Sequence, residues 1–141
     1  MNIYSNILLC TDFSETSGAA AEKANELAST LGANLTVLHV VTYIPPQYVA
    51  IELPKELSTL DYIIPQAEQH LSNWCTQHDL ENGKQVIKTG NAKREISDYI
   101  KQNGIDLVVI GDRGESEILQ PFGSVANYVI QHSDCDVLVA R

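Results

Sequence analysis

Basic residues are few in this chain. Nine lysines and arginines stand against eighteen aspartates and glutamates over 141 residues, a formal charge of −9, and no window gathers the nine together. Such a surface repels a phosphate backbone, which argues against nucleic acid and against an anionic membrane as partners. It leaves a small anion open, because backbone N–H groups at a helix N-terminus aim partial positive charge at a ligand whatever the net charge around them. Cysteine is also scarce. Cys10, Cys75 and Cys135 are odd in number, widely spaced and without a CxxC pair, as expected of a reducing compartment. The opening MNIYSNILLCTDFS has no basic flank and too short an apolar core for a signal peptide or a membrane span, so the expected location is the cytoplasm.

Several catalytic signatures are missing. The chain has no GxxxxGK[ST] and no GxGxxG after any apolar run, which argues against a phosphate-loop kinase and a dinucleotide dehydrogenase. GxSxG is missing too, and with it the nucleophile turn of the α/β-hydrolases. A phosphoacceptor receiver needs an acidic pair after its first strand and an aspartate after its third, whereas here Asp12 stands alone and Thr89-Gly90 follows the third run. His70 and His78 are too far apart for one helical turn to bring together and His132 is isolated, so no metal cluster is expected. His39 interrupts an apolar run and reads as a hydrogen-bonded core residue. Trp74 reads as core, and buried Cys10 as a small hydrophobe.

What is present is alternation. The length fits one domain spanning 1–141, long enough to bury roughly 68–70% of its unfolded surface. Residues 3–10 read as a buried strand. Ser14 or Ser17 can cap a helix whose apolar positions are Ala20, Ala24, Leu27, Ala28 and Leu31, with Gly32 ending it. Residues 35–41 form a second apolar run of the kind covered on both faces in a parallel sheet. The segment 43–60, with Pro45, Pro46 and Pro54, reads as an irregular excursion. A second helix follows from about Asp61 through Ile64, Ala67, Leu71, Trp74 and Cys75, with Pro65 tolerable only near its first turn. Strands at 85–89 and 106–110 flank a third helix marked by Ile96, Tyr99 and Ile100. Val125, Ala126, Val129 and Ile130 mark a fourth helix, and residues 137–140 a last strand. Five strands and four helices in strict alternation predict an α/β fold, a doubly wound five-stranded parallel sheet in a Rossmann-like three-layer sandwich.

In such a sheet the ligand sits beyond the carboxyl ends of the strands, where the strand order reverses. With the first strand central and the fourth beside it, the crevice falls between Cys10-Thr11-Asp12 and Ile110-Gly111-Asp112-Arg113-Gly114. Gly111 and Gly114 let backbone approach a ligand or take positive φ, and Gly123-Ser124 offers free amides and a hydroxyl at a helix start. A valine at Gly111 is then expected to fill the crevice and leave the fold intact. Asp112 is unhelpful beside an anion unless it points away or helps to hold magnesium. Lys93 and Arg94, at the start of the third helix, read as solvated charge far from the crevice. Glu115 and Glu117 make no catalytic pair.

The segments NILLCTDFSE, LTVLHVV, DLVVIGDRG and FGSVANYVIQHSDCDVLVAR resemble the universal stress protein family over nearly the whole chain. Nucleotide-binding members of that family carry G-x2-G-x9-G-[S/T]. Gly111, Gly114, Gly123 and Ser124 match by type, with eight residues rather than nine between Gly114 and Gly123. The resemblance implies ATP or AMP as ligand, with magnesium on the phosphates. It sets Asp12 near ribose and adenine, Val40 along the adenine, Gly111 and Gly114 beside ribose and phosphate, and Gly123, Ser124 and Val125 around the phosphate chain. Cys10, Thr11 and Ile110 complete this site, and Arg113 stands where the family often has histidine or arginine.

Two functions remain open at this point. One is a cytoplasmic ATP-binding regulatory module of the stress response, without a committed catalytic base. The other is a homodimeric interaction protein of the UspA type, whose members lack the glycine motif and hold no nucleotide. A true ATP-hydrolysing enzyme has the least support. The last strand, 137–140, lacks a proline to blunt a sheet edge, with Val137 and Val139 on one face and Leu138 and Ala140 on the other. The resemblance implies a homodimer joined through it.

Overall fold

The computed structural model describes residues 3–42, 60–113 and 123–141. Nine elements alternate along them: β1 (Asn6–Cys10), α1 (Glu15–Leu31), β2 (Asn34–Val41), α2 (Leu60–Gln77), β3 (Lys84–Thr89), α3 (Ala92–Gln102), β4 (Leu107–Gly111), α4 (Ser124–His132) and β5 (Asp136–Ala140). All strand pairs are parallel, in the order β3-β2-β1-β4-β5. This is the predicted α/β architecture. The excursion read at 43–60 lies almost wholly outside the described residues.

β1 lies at the centre because both of its faces are apolar. Ile7 and Leu9 are fully buried against α1 and α2, in a layer with Ala20, Ala24, Ala28, Leu71 and Trp74. Leu8 and Cys10 face the opposite layer, with Ile96, Tyr99 and Ile100 of α3 and Ala126 and Val129 of α4. Four alanines on the inner face of α1 let its backbone approach the sheet closely. Each fully buried leucine or isoleucine contributes about 1.5–3 kcal/mol relative to exposure.

The helix ends follow their residues. Ser14 caps α1, its side chain accepting from the Ser17 N–H, and Gly32 closes the helix in the left-handed conformation at φ 65°. Pro65 is the sixth residue of α2, so the Asp61 carbonyl lacks its intrahelical donor. Both residues are exposed, and water can serve that carbonyl. Among the described residues no helix is long and apolar enough to cross a membrane.

The start of β1 differs from the expectation of a strand from residue 3. Ile3 is 74% exposed, and pairing with β2 begins at Asn6 opposite Asn34. Before that point the neighbouring strands have not begun. The Ser5 and Asn6 N–H groups donate instead to the two oxygens of Asp106, at 2.8 and 3.0 Å.

Candidate functional site

β1 leaves the sheet through a tight turn in which nearly every polar group has a local partner. The Thr11 N–H extends the pairing by donating to the Leu38 carbonyl at 3.0 Å. The Thr11 carbonyl accepts from His39 Nδ1 at 2.8 Å, so Nδ1 carries the proton, and the Thr11 hydroxyl oxygen accepts from the Phe13 N–H at 2.9 Å. Asp12 Oδ1 accepts from the Ser14 N–H at 3.0 Å and from Ser17 Oγ at 2.8 Å. Phe13 holds φ 66°, a region that disfavours residues with a Cβ. His39 is thus hydrogen-bonded, as expected, and half-buried at the C-terminal part of β2.

β4 leaves beside it and is tied to the same helix. The Arg113 carbonyl accepts from the Thr16 hydroxyl and, at 3.3 Å, from Ser14 Oγ. The Asp112 N–H donates to the Ala140 carbonyl at 2.8 Å. Its carboxylate meets Arg113 Nε at 3.4 Å and Arg141 Nε at 3.9 Å, on the β5 side. Asp112 is not among the residues lining the cavity described next.

The strand ends enclose a cavity of about 490 Å³. Cys10, Thr11 and Asp12 line it from the end of β1, and Val40 from β2. Ile110, Gly111 and Arg113 line it from β4, and Gly123, Ser124 and Val125 from the start of α4. Every predicted site residue within the described part of the chain therefore borders one hollow. Gly114 lies outside the described residues, as do the eight-residue spacer and Glu115 and Glu117. At the α4 N-terminus Gly123 has φ 59°, and no side-chain hydrogen bond caps it among the described residues.

Three points differ from the sequence reading. A Cβ on Gly111 would not enter the hollow. It would meet the Thr16 hydroxyl and lie 2.8 Å from the Thr16 carbonyl carbon, so this glycine serves the approach of α1 to β4. The expectation that a valine there spares the fold is corrected accordingly. Second, α3 does reach the site: Ala92 and Ile96 line the cavity, although Lys93 and Arg94 do not. Third, Ser17, Leu38, His39, Val41, Thr42 and Ala126 line it without having been singled out as site residues. Ser17 was legible through its capping position, whereas Ala126 carried no signal beyond helical spacing.

The walls divide by chemistry. Leu38, Val40, Ile96, Ile110 and Ala126 supply apolar surface, while Thr11, Asp12, Arg113 and Ser124 supply polar groups and one positive charge. Cys10 is buried and its thiol is pushed up to about 12 by that burial, so it stays protonated and unreactive near neutral pH. No group of three or more His, Cys, Asp or Glu among the described residues is placed to hold a metal ion.

Comparison with known proteins identifies the family. The profile of the universal stress protein family matches residues 3–141. The chain is 28% identical over 142 residues to universal stress protein A homolog 2 of Coxiella burnetii, covering 100% of this chain and 97% of that one. Among solved structures it resembles the universal stress protein UspA from Lactobacillus plantarum, with a TM-score of 0.72, 30% identity and 98% of each chain covered. It also shares the fold of the universal stress protein from Archaeoglobus fulgidus solved in complex with dAMP, with a TM-score of 0.66, 23% identity and 99% of each chain covered. The chain belongs to the universal stress protein family.

Proposed function

We propose that this chain is a cytoplasmic regulatory module that binds an adenine nucleotide, ATP or AMP, in the cavity at the β1 and β4 ends. The observation that carries the reading is the convergence of apolar walls, the Arg113 side chain and the α4 N-terminus on one hollow. This donor set fits the ligand. A purine ring requires flat apolar surface, which Val40, Cys10 and Ile110 offer, and phosphates require charged or main-chain donors, which Arg113 and the amides of Gly123, Ser124 and Val125 offer. Asp12 is the sole carboxylate among the described lining residues and faces the ribose in this reading. Gly111 keeps the floor low by admitting α1, and Thr11 sets the turn that presents Asp12. Magnesium would arrive on the phosphates, since Asp112 is engaged by two arginines. The dAMP held by the Archaeoglobus fulgidus protein lends the ligand class support.

Binding, not turnover, is the proposed activity. Asp12 and His39 are both tied into the β1 exit, so among the described lining residues no group stands ready to orient water. One observation favours the second reading, an interaction protein without nucleotide: Asp12 Oδ1 is already satisfied inside its own turn. The two are separated by denaturing the purified protein, analysing released nucleotide by mass spectrometry, and titrating the emptied protein calorimetrically with ATP and AMP. Binding is expected and should be abolished by Val40→Trp, which fills the hollow from β2 while circular dichroism stays native. Absence of heat over a wide concentration range overturns the nucleotide reading.

The partner proposed is a second copy of this chain. β5 is an edge strand, with Val137 and Val139 packed toward the α3/α4 layer and Leu138 and Ala140 toward the other. A two-fold axis beside it would join identical edges. Truncation after Asp136 is expected to give monomer or insoluble protein, and an unchanged soluble dimer by light scattering refutes this interface.

A further inference from the structure

The turn that carries Asp12 contains a conformation its sequence does not favour. Phe13 has φ 66°, where a side chain with a Cβ crowds its own backbone, and no glycine or asparagine occupies the position. Such a residue persists only where its surroundings over-determine it. Here the surroundings are rings. The Phe13 ring stacks on His70 of α2 with centroids 3.9 Å apart and planes at 20°, lies 4.3 Å from His39 of β2, and meets Trp74 of α2 edge-on at 5.9 Å. His39 is tied to the same turn by its hydrogen bond to the Thr11 carbonyl, and Trp74 is anchored by burial in the core. His70 is exposed and does not line the cavity.

We propose that His70 is a positioning residue for the ligand site, its ring clamping Phe13 in the left-handed conformation and thereby fixing the adjacent Asp12 carboxylate. The inference rests on the nucleotide reading only for its effect on affinity; the clamp itself is a property of the turn. The mechanical link is short. Phe13 lies between Asp12 and Ser14, and two hydrogen bonds span its φ: the Ser14 N–H to Asp12 Oδ1 and the Asp12 N–H to Ser17 Oγ. If Phe13 relaxes to negative φ, the chain direction at Ser14 changes and the two bonds cannot both survive. The Asp12 carboxylate then leaves its place on the cavity wall. α2 contributes this control from outside the hollow, through an imidazole used for its flat face and not for its proton.

The test compares the wild type with His70→Ala and His70→Phe. Amide exchange by NMR at Asp12, Phe13 and Ser14 reads the clamp without any ligand. Exchange there is expected to quicken roughly threefold to tenfold in His70→Ala, the span of a lost ring pair, while circular dichroism stays native. His70→Phe, which keeps a flat ring and removes the imidazole nitrogens, should restore the slow rates. AMP titration of the same three proteins should show a parallel rise in Kd for His70→Ala and its recovery in His70→Phe. Unchanged exchange in His70→Ala, or His70→Phe behaving as the alanine variant, overturns the clamp. Should the wild type give no heat with AMP, the nucleotide reading and the affinity claim fall together, while the exchange rates still decide whether His70 holds the turn.

Discussion

Replacing Gly111 by alanine is the sharpest probe of how β4 meets α1. The added methyl would lie 2.8 Å from the Thr16 carbonyl carbon and 2.9 Å from its Cβ, besides contacting the Thr16 hydroxyl. Carbon atoms in contact settle at about 3.5 Å or more, so the methyl is about 0.7 Å too close to a main-chain atom that no rotamer change can move. Relief requires α1 to lift at its first turn, which pulls the Thr16 hydroxyl and Ser14 Oγ away from the Arg113 carbonyl. Overpacking of this kind costs about 1–3 kcal/mol, or a fall in Tm of roughly 3–12 °C for a chain of this length. Urea denaturation followed by circular dichroism measures it. Truncating Thr16 to alanine in the same chain should recover little, because the carbonyl carbon and Cβ remain. A Gly111→Ala protein unfolding at the wild-type midpoint, or a full rescue by Thr16→Ala, would refute the backbone contact.

Other expectations concern the same layers. Ser14→Ala removes the cap of α1 and one donor to Arg113, and should cost about 0.5–2 kcal/mol in a thermal melt. Leu71→Ala empties a site that is 1% exposed beneath α2 and should cost about 2–5 kcal/mol in the denaturation midpoint. Burial raises the folded Cys10 thiol from the ordinary 9.0 to about 12, so its contribution is fully present below pH 9 and is lost as pH rises toward 12. The stability of Cys10→Ala should therefore fall less steeply than that of the wild type across this window, and parallel curves would show that the thiol is not held protonated. At pH 8 a thiol reagent should label the half-buried Cys135 well before Cys10.

The layers were legible because β1 and β4 are apolar at successive positions, which only a strand covered on both faces tolerates, and because the alanines of α1 recur at helical spacing. The strand-end residues of the site followed from topology alone: once β1 is central and β4 adjacent, Asp12 and Arg113 must leave on the same side. What was not legible came from tertiary geometry. A glycine announces that a Cβ would not fit and is silent about the intruder, so Gly111 read as room for a ligand when the neighbour is Thr16. β3 sits at one edge and β4 beyond β1, so α3 must travel back over the sheet between them, and that path brings Ala92 and Ile96 to the cavity. The ring contacts around Phe13 join residues separated by up to 61 positions in sequence, from Phe13 to Trp74, and no local pattern marks them.

The bond from the Asp112 N–H to the Ala140 carbonyl ties the end of β5 to the residue before Arg113, which itself lines the cavity. An affinity tag or cleavage scar appended after Arg141 would follow closely on that support, so differently tagged preparations are not interchangeable in a binding assay. Trimming to Val139 would leave that amide donor without its acceptor, whatever happens to the partner edge.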